Sequence, residues 1–136
     1  MITKNGETMN YILDTYAWVE YFIGSKKGEI VQKLFENDEN EFLTVECSLS
    51  ELKSWCKREK KDFQILYNAI KSNSHLEAVY LEDWLFASDI KSEMRQTRLD
   101  FGLIDALLLA KQKKYKCIVV SGDPHFENLT GALYLK

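Results

Sequence analysis

Short apolar runs alternate with stripes at helical spacing along most of this chain. Residues 11–13, 41–45, 76–81, 117–120 and 132–135 are rich in strand formers, the third run weakened by Glu77. Between them apolar residues recur every three or four positions. One set is Ala17, Trp18, Tyr21 and Phe22, and the next is Ile30, Val31, Leu34 and Phe35. Leu49, Leu52 and Trp55 follow, then Phe63, Leu66, Tyr67 and Ile70, and last Trp84, Leu85, Ala87, Ile90 and Met94. Each set predicts an amphipathic helix with its stripe toward the core, so Trp18, Trp55 and Trp84 are all expected inside. The last of these helices is expected over about 82–99. Residues 103–110 are apolar almost all round, which predicts a buried helix, and 111–116 close it with charges that suit a helix C-terminus. Polar or glycine-bearing breaks at 24–28, 37–40, 57–62, 71–74 and 102 separate the elements. Strand and helix in alternation predict an α/β fold. Its form is a three-layer α/β/α sandwich with a Rossmann-like, mostly parallel sheet and right-handed crossovers.

A length of 136 residues corresponds to one domain. Residues 1–8 are polar and read as a tail outside the fold, leaving 9–136 as the folded unit, and Met9 stands just before the first strand. Hydrophobic content of 46% with 29% charged residues is ordinary for a water-soluble globular domain. No apolar run approaches the roughly 20 residues that span a bilayer, and the start lacks the apolar segment of a secretory signal. Cys47, Cys56 and Cys117 are widely spaced and only two histidines accompany them. This excludes a disulfide framework or a zinc site and predicts free thiols in a reducing cytoplasm, with Cys47 and Cys117 buried.

A net charge of −3 does not announce a nucleic-acid binder, but the basic residues are grouped. Lys53, Lys57, Arg58, Lys60 and Lys61 form one group, Lys91, Arg95 and Arg98 a second, and Lys111, Lys113, Lys114 and Lys116 a third. Each group is first of all a solvated helix face, and each is also a candidate for phosphate contacts.

Four acids stand where strands give way to helices or in the first turns of helices. Asp14 follows the first strand and reads equally well as an N-cap. Ser48-x-x-Glu51 has the spacing of a capping box, and Asp123 before Pro124 is a familiar cap. Asp105 differs, because Leu103, Ile104, Ala106, Leu107 and Leu108 around it all favour burial. A helix N-terminus offers a carboxylate roughly 0.3–1 kcal/mol, too little to offset desolvation of a charge. Gathered at the carboxyl edge of one sheet, the four would repel one another unless cations met them. An all-oxygen donor set favours Mg²⁺ or Mn²⁺ and fits metal-assisted hydrolysis of a phosphodiester.

Ile12-Leu13-Asp14-Thr15, Leu49-Ser50-Glu51-Leu52, Leu103-Ile104-Asp105-Ala106-Leu107 and Val120-Ser121-Gly122-Asp123-Pro124-His125-Phe126 together resemble the PIN domain family. The resemblance runs from about residue 9 to the end, and its last two motifs in tandem are the most specific. It implies a Mg²⁺- or Mn²⁺-dependent endoribonuclease, commonly the VapC-like toxin of a toxin–antitoxin pair. A cognate antitoxin protein then blocks the acidic pocket, and a homodimer is expected. Carried over, Asp14, Glu51, Asp105 and Asp123 are the metal-binding and catalytic acids, with Thr15 and Ser121 supporting them. Tyr16 departs from the small polar residue often found at its position. His125 belongs to the motif and is expected to serve the turn. Two other readings compete: a non-catalytic PIN-like binding module and a housekeeping RNA-processing nuclease. A phosphoacceptor domain fits poorly, because Asp14 stands alone at the first strand and no lysine follows the last one except Lys136.

Overall fold

The computed structural model describes residues 10–136, so the expectations for the tail 1–8 and for Met9 lie outside the described residues. Five strands are present: β1 (Asn10–Leu13), β2 (Glu41–Val45), β3 (His75–Glu77), β4 (Ile118–Ser121) and β5 (Ala132–Tyr134). They form one sheet in the order β3-β2-β1-β4-β5, and every neighbouring pair is parallel. Six α-helices connect them: α1 (Thr15–Ile23), α2 (Lys26–Glu36), α3 (Cys47–Glu59), α4 (Phe63–Asn73), α5 (Leu81–Met94) and α6 (Leu103–Tyr115). The expected three-layer α/β/α sandwich is what the chain forms.

Strand periodicity divides the core. Tyr11, Leu13, Phe42 and Val120 face the layer of α1 to α4, meeting Trp18, Val31, Leu52, Leu66 and Ile70. Ile12, Val45 and Val119 face α5 and α6, meeting Ala87, Phe101 and the buried run Ala106–Ala110. On the first side the Trp18 indole N–H donates to Thr44 Oγ1 at 3.0 Å, so the buried ring keeps its polar atom paired. Glycine is required at position 28, where a Cβ would lie 2.1 Å from the Glu20 carbonyl oxygen. That close approach lets α2 pack directly on α1.

The structure corrects several expectations. The third strand stops at Glu77, because residues 78–80 lead straight into α5, which opens at Leu81. The helix expected to reach about residue 99 ends at Met94 and passes into turns. Trp84 and Leu85 do not face the core; they lie on an exposed side of α5 while Ala87 and Ile90 make its contact. Trp55 is half-buried. All three thiols are free, with Cys56 and Cys117 buried and Cys47 half-buried. Lys111, expected among the solvated charges at the end of its helix, is fully buried. Among the described residues no helix is long and apolar enough to cross a membrane.

Candidate active site

The chain runs outward from β1 in one direction through β2 and β3, then returns to the other side of β1 for β4 and β5. The strand order therefore reverses between β1 and β4, where an open α/β sheet leaves a crevice beyond its carboxyl ends. Asp14 directly follows β1, and Ser121-Gly122-Asp123 follows β4. Glu51 comes in from α3 and Asp105 from the first turn of α6. All four acids line one cleft of about 660 Å³, together with Tyr16, Trp55 and Arg58 among others.

Asp14 both caps a helix and lines the cleft. It is the N-cap of α1, with Oδ1 accepting from the Ala17 amide at 2.8 Å, and it is 5% exposed at the floor of the cleft. Burial pushes its carboxyl up to about 7. Asp123 and Asp105 add to that, while hydrogen bonds from Ser121 and the Ala17 amide oppose it. Asp105 also lies above the ordinary carboxyl range, by burial first and then by Asp123. Its Oδ2 accepts from the Gly102 amide at 3.4 Å and stands 2.9 Å from Nδ1 of His125.

Asp123 caps the short 3-10 turn Pro124–Phe126, accepting from the His125 amide at 2.9 Å. The buried Ser121 hydroxyl accepts from the Asp123 amide at 2.9 Å and so fixes the start of that turn. Glu51 is not the partner in a capping box. Its helix begins one residue before Ser48, and the buried Ser48 hydroxyl has no hydrogen-bond partner among the described residues. The Glu51 side chain instead crosses to α1, where Thr15 Oγ1 donates to Oε1 at 2.7 Å. Thr15 therefore contacts Glu51, and Ser121 contacts the backbone of the turn that carries Asp123.

His125 is the residue whose role the motif understated. Its ring lies between Asp105 and Asp123, with Nδ1 3.4 Å from Asp123 Oδ1. These three side chains present ligand atoms within 4.8 Å of one another. Arg98 holds the turn from outside, donating to the His125 carbonyl at 3.2 Å and the Glu127 carbonyl at 3.0 Å. Arg95 donates through Nε to the Phe101 carbonyl at 2.8 Å. Two members of the second basic group therefore tie down loops. The imidazole beside two acids was visible only as a motif position, since nothing in the spacing tells which way its ring turns.

Tyr16 and Gly122 form the wall beside Asp14 and Asp123. A Cβ on Gly122 would stand 2.3 Å from the Tyr16 ring, so the aromatic side chain rests directly against the backbone of the β4 turn. Lys27 Nζ reaches the Tyr16 hydroxyl at 3.5 Å.

The oxygen-rich set of Asp14, Glu51, Asp105 and Asp123, with His125 at its edge, fits a hard divalent cation. Among the described residues no lysine or arginine forms an ion pair with any of the four.

Comparison with known proteins bears on the family and the fold. The PIN domain family model matches residues 11–132. No match is found among curated proteins. Solved structures share the fold. A toxin–antitoxin complex from Klebsiella pneumoniae has a TM-score of 0.74 at 16% identity, covering 93% of this chain and 98% of that one. VapBC2 from Rickettsia felis, bound to a DNA fragment from its promoter, has a TM-score of 0.70 at 18% identity, with 93% and 97% covered. VapC20 from Mycobacterium tuberculosis, a toxin that cleaves the sarcin–ricin loop, has a TM-score of 0.65 at 15% identity, with 82% and 87% covered.

Proposed function

The chain belongs to the PIN domain family, and on that premise we propose that it is a Mg²⁺- or Mn²⁺-dependent endoribonuclease. Asp14, Glu51, Asp105 and Asp123 would be its metal-binding and catalytic acids. The observation that carries this reading is the cleft itself. Four acids converge at the switch point of the sheet, and the two buried deepest are pushed toward neutrality with no lysine or arginine paired to them among the described residues. A fold holds buried acids in that state at a cost to its stability, which a bound cation offsets.

Asp14, Asp105 and Asp123 would hold the ion, with the imidazole of His125 orienting Asp105 from the outside. When bound, a divalent ion supplies Lewis-acid stabilisation of the phosphate charge and lowers the pKa of water. Asp14 is fixed by its cap bond and Asp123 by Ser121, so the donor oxygens are preorganised by the backbone. Glu51 is exposed at the open side of the cleft and steadied by Thr15, and there it would accept a proton from the attacking water.

The fold similarity to VapBC toxins supports the further reading that the chain is the toxin of a toxin–antitoxin pair. It would then be a cytoplasmic protein whose pocket a cognate antitoxin closes, and a homodimer. The test is cleavage of total and structured RNA by purified protein in Mn²⁺ or Mg²⁺. Cutting is expected, and it should vanish with EDTA and in Asp14→Asn. Metal-independent cutting, or full activity in that variant, would refute the assignment. Divalent-ion binding with no cutting of any RNA would instead favour the non-catalytic binding module.

A further inference from the structure

One face of α3 runs from the acids to open solvent along the cleft. Glu51, Trp55 and Arg58 stand at positions i, i+4 and i+7 of that helix, so they share a side, and all three line the cleft. At 1.5 Å rise per residue, Trp55 lies about 6 Å and Arg58 about 10 Å along the helix from Glu51. The order outward from the catalytic acids is therefore carboxylate, indole, guanidinium.

Each member has a feature that its fold role leaves unexplained. Trp55 meets Phe22 edge-to-face at a centroid distance of 6.4 Å, so the ring is braced from the α1 side while part of it stays open to the cleft. One side of the ring packs against the core, and the half-buried remainder borders the cleft. Arg58 is exposed, and among the described residues it makes neither a hydrogen bond nor an ion pair. Lys53, Lys57, Lys60 and Lys61 on or just past the same helix are likewise exposed and in no ion pair among the described residues. A chain with net charge −3 thus keeps a segment beside the cleft in which five basic residues outnumber Glu59 and Asp62.

We propose that this face of α3 is the track of the RNA strand leaving the scissile phosphate. Trp55 stacks the adjoining base and Arg58 holds the next phosphate. The assignment rests on the nuclease reading above and adds to it the two side chains that hold the strand beyond the cut, Trp55 at an unstacked base and Arg58 at a phosphate. Paired RNA keeps its bases stacked on one another, so an aromatic platform selects strands whose bases are splayed out. Fixed cations matter here because five acids, Glu20 included, line the same cleft and would otherwise repel the backbone.

The test uses a fluorescein-labelled, mixed-sequence, single-stranded oligoribonucleotide. Binding to the full chain is measured by anisotropy in EDTA, and cleavage is measured separately in Mn²⁺. Trp55→Ala should weaken binding roughly 5- to 150-fold, the range for loss of one stacked base. Trp55→Phe should retain most of the affinity. Trp84→Ala, on the exposed side of α5, is the control and should leave binding unchanged. Arg58→Ala should weaken all sequences alike and lower the slope of log affinity against log salt by about 0.7–1, whereas Arg58→Lys should preserve the slope. In cleavage, KM should rise in Trp55→Ala and in Arg58→Ala. Binding that depends on Trp55 without cleavage by any variant would sustain the track and remove the nuclease. Cleavage whose KM ignores both residues would remove the track and leave the nuclease. Absence of oligonucleotide binding, or equal loss in Trp84→Ala, would also overturn the track.

Discussion

Two groups of buried acids in this molecule are built from similar residues and end in opposite electrostatic states. The first joins Glu77 at the end of β3 and Asp83 of α5 to Lys111 and Tyr115 of α6. Lys111 Nζ lies 2.8 Å from Glu77 and 2.6 Å from Asp83, and the Tyr115 hydroxyl donates to Glu77 at 2.6 Å. Burial alone would push both carboxyls up, but the hydrogen bonds and charge of Lys111 outweigh it, and both end below the ordinary range. The second group is the cleft, where burial wins at Asp14, which rises to about 7, and at Asp105, which is also raised. A chain that only needs acids for structure supplies its own cation. Acids with no lysine or arginine partner among the described residues are the candidate place for a ligand.

The widest separation of the two groups comes from Asp14→Asn. RNA cleavage should fall to the background of an EDTA control. The metal-free variant should nevertheless denature at a higher urea midpoint than the parent at pH 8, since a neutral amide replaces a carboxylate that burial disfavours. A lower midpoint would contradict the repulsion argued for the cleft. Lys111→Met comes next. It strands Glu77 and Asp83 without their cation and should cost about 3–5 kcal/mol by urea denaturation, the usual range for breaking a buried pair.

The pH dependences should also oppose each other. Asp14 has a folded pKa above its unfolded value. Its contribution is therefore most favourable at low pH, and stability falls as pH rises from about 4 to 7. Glu77 and Asp83 are depressed, so their contribution is present above the unfolded value and is lost as pH falls through the folded ones. Melting temperature in EDTA should decline between pH 5 and 8, and Mn²⁺ should remove that decline. A decline unaffected by Mn²⁺ would argue against a cation in the cleft. The smallest effect belongs to Thr15→Val, which loses the bond to Glu51. Stability should change by less than about 1 kcal/mol because the pair is exposed, while cleavage should slow measurably.

Much of this was legible in the residues. Strand runs and helical stripes placed the sheet, and the two core layers follow from the alternation of Tyr11, Ile12 and Leu13. The acids Asp14, Asp105 and Asp123 could be picked out because each follows a strand or opens a helix, and the structure brings them together with Glu51. The expectations that failed share a cause. Trp84 and Lys111 were judged from periodicity along one helix, which locates an apolar or charged face but not what packs against it. For Lys111 the deciding neighbours, Glu77 and Asp83, lie 34 and 28 positions away in sequence.

Local order along the chain, then, determined the α/β architecture and the identities of the acids, because strand and helix periods and caps are short-range properties. Only the tertiary structure decided which charges are neutralised. It turned His125 onto Asp105, buried Lys111 between two carboxylates, and left Arg58 beside a cleft of acids with no ion pair among the described residues. Those outcomes depend on distances of a few ångströms between elements far apart in sequence, where Coulomb and desolvation energies are set by the packing of the whole domain.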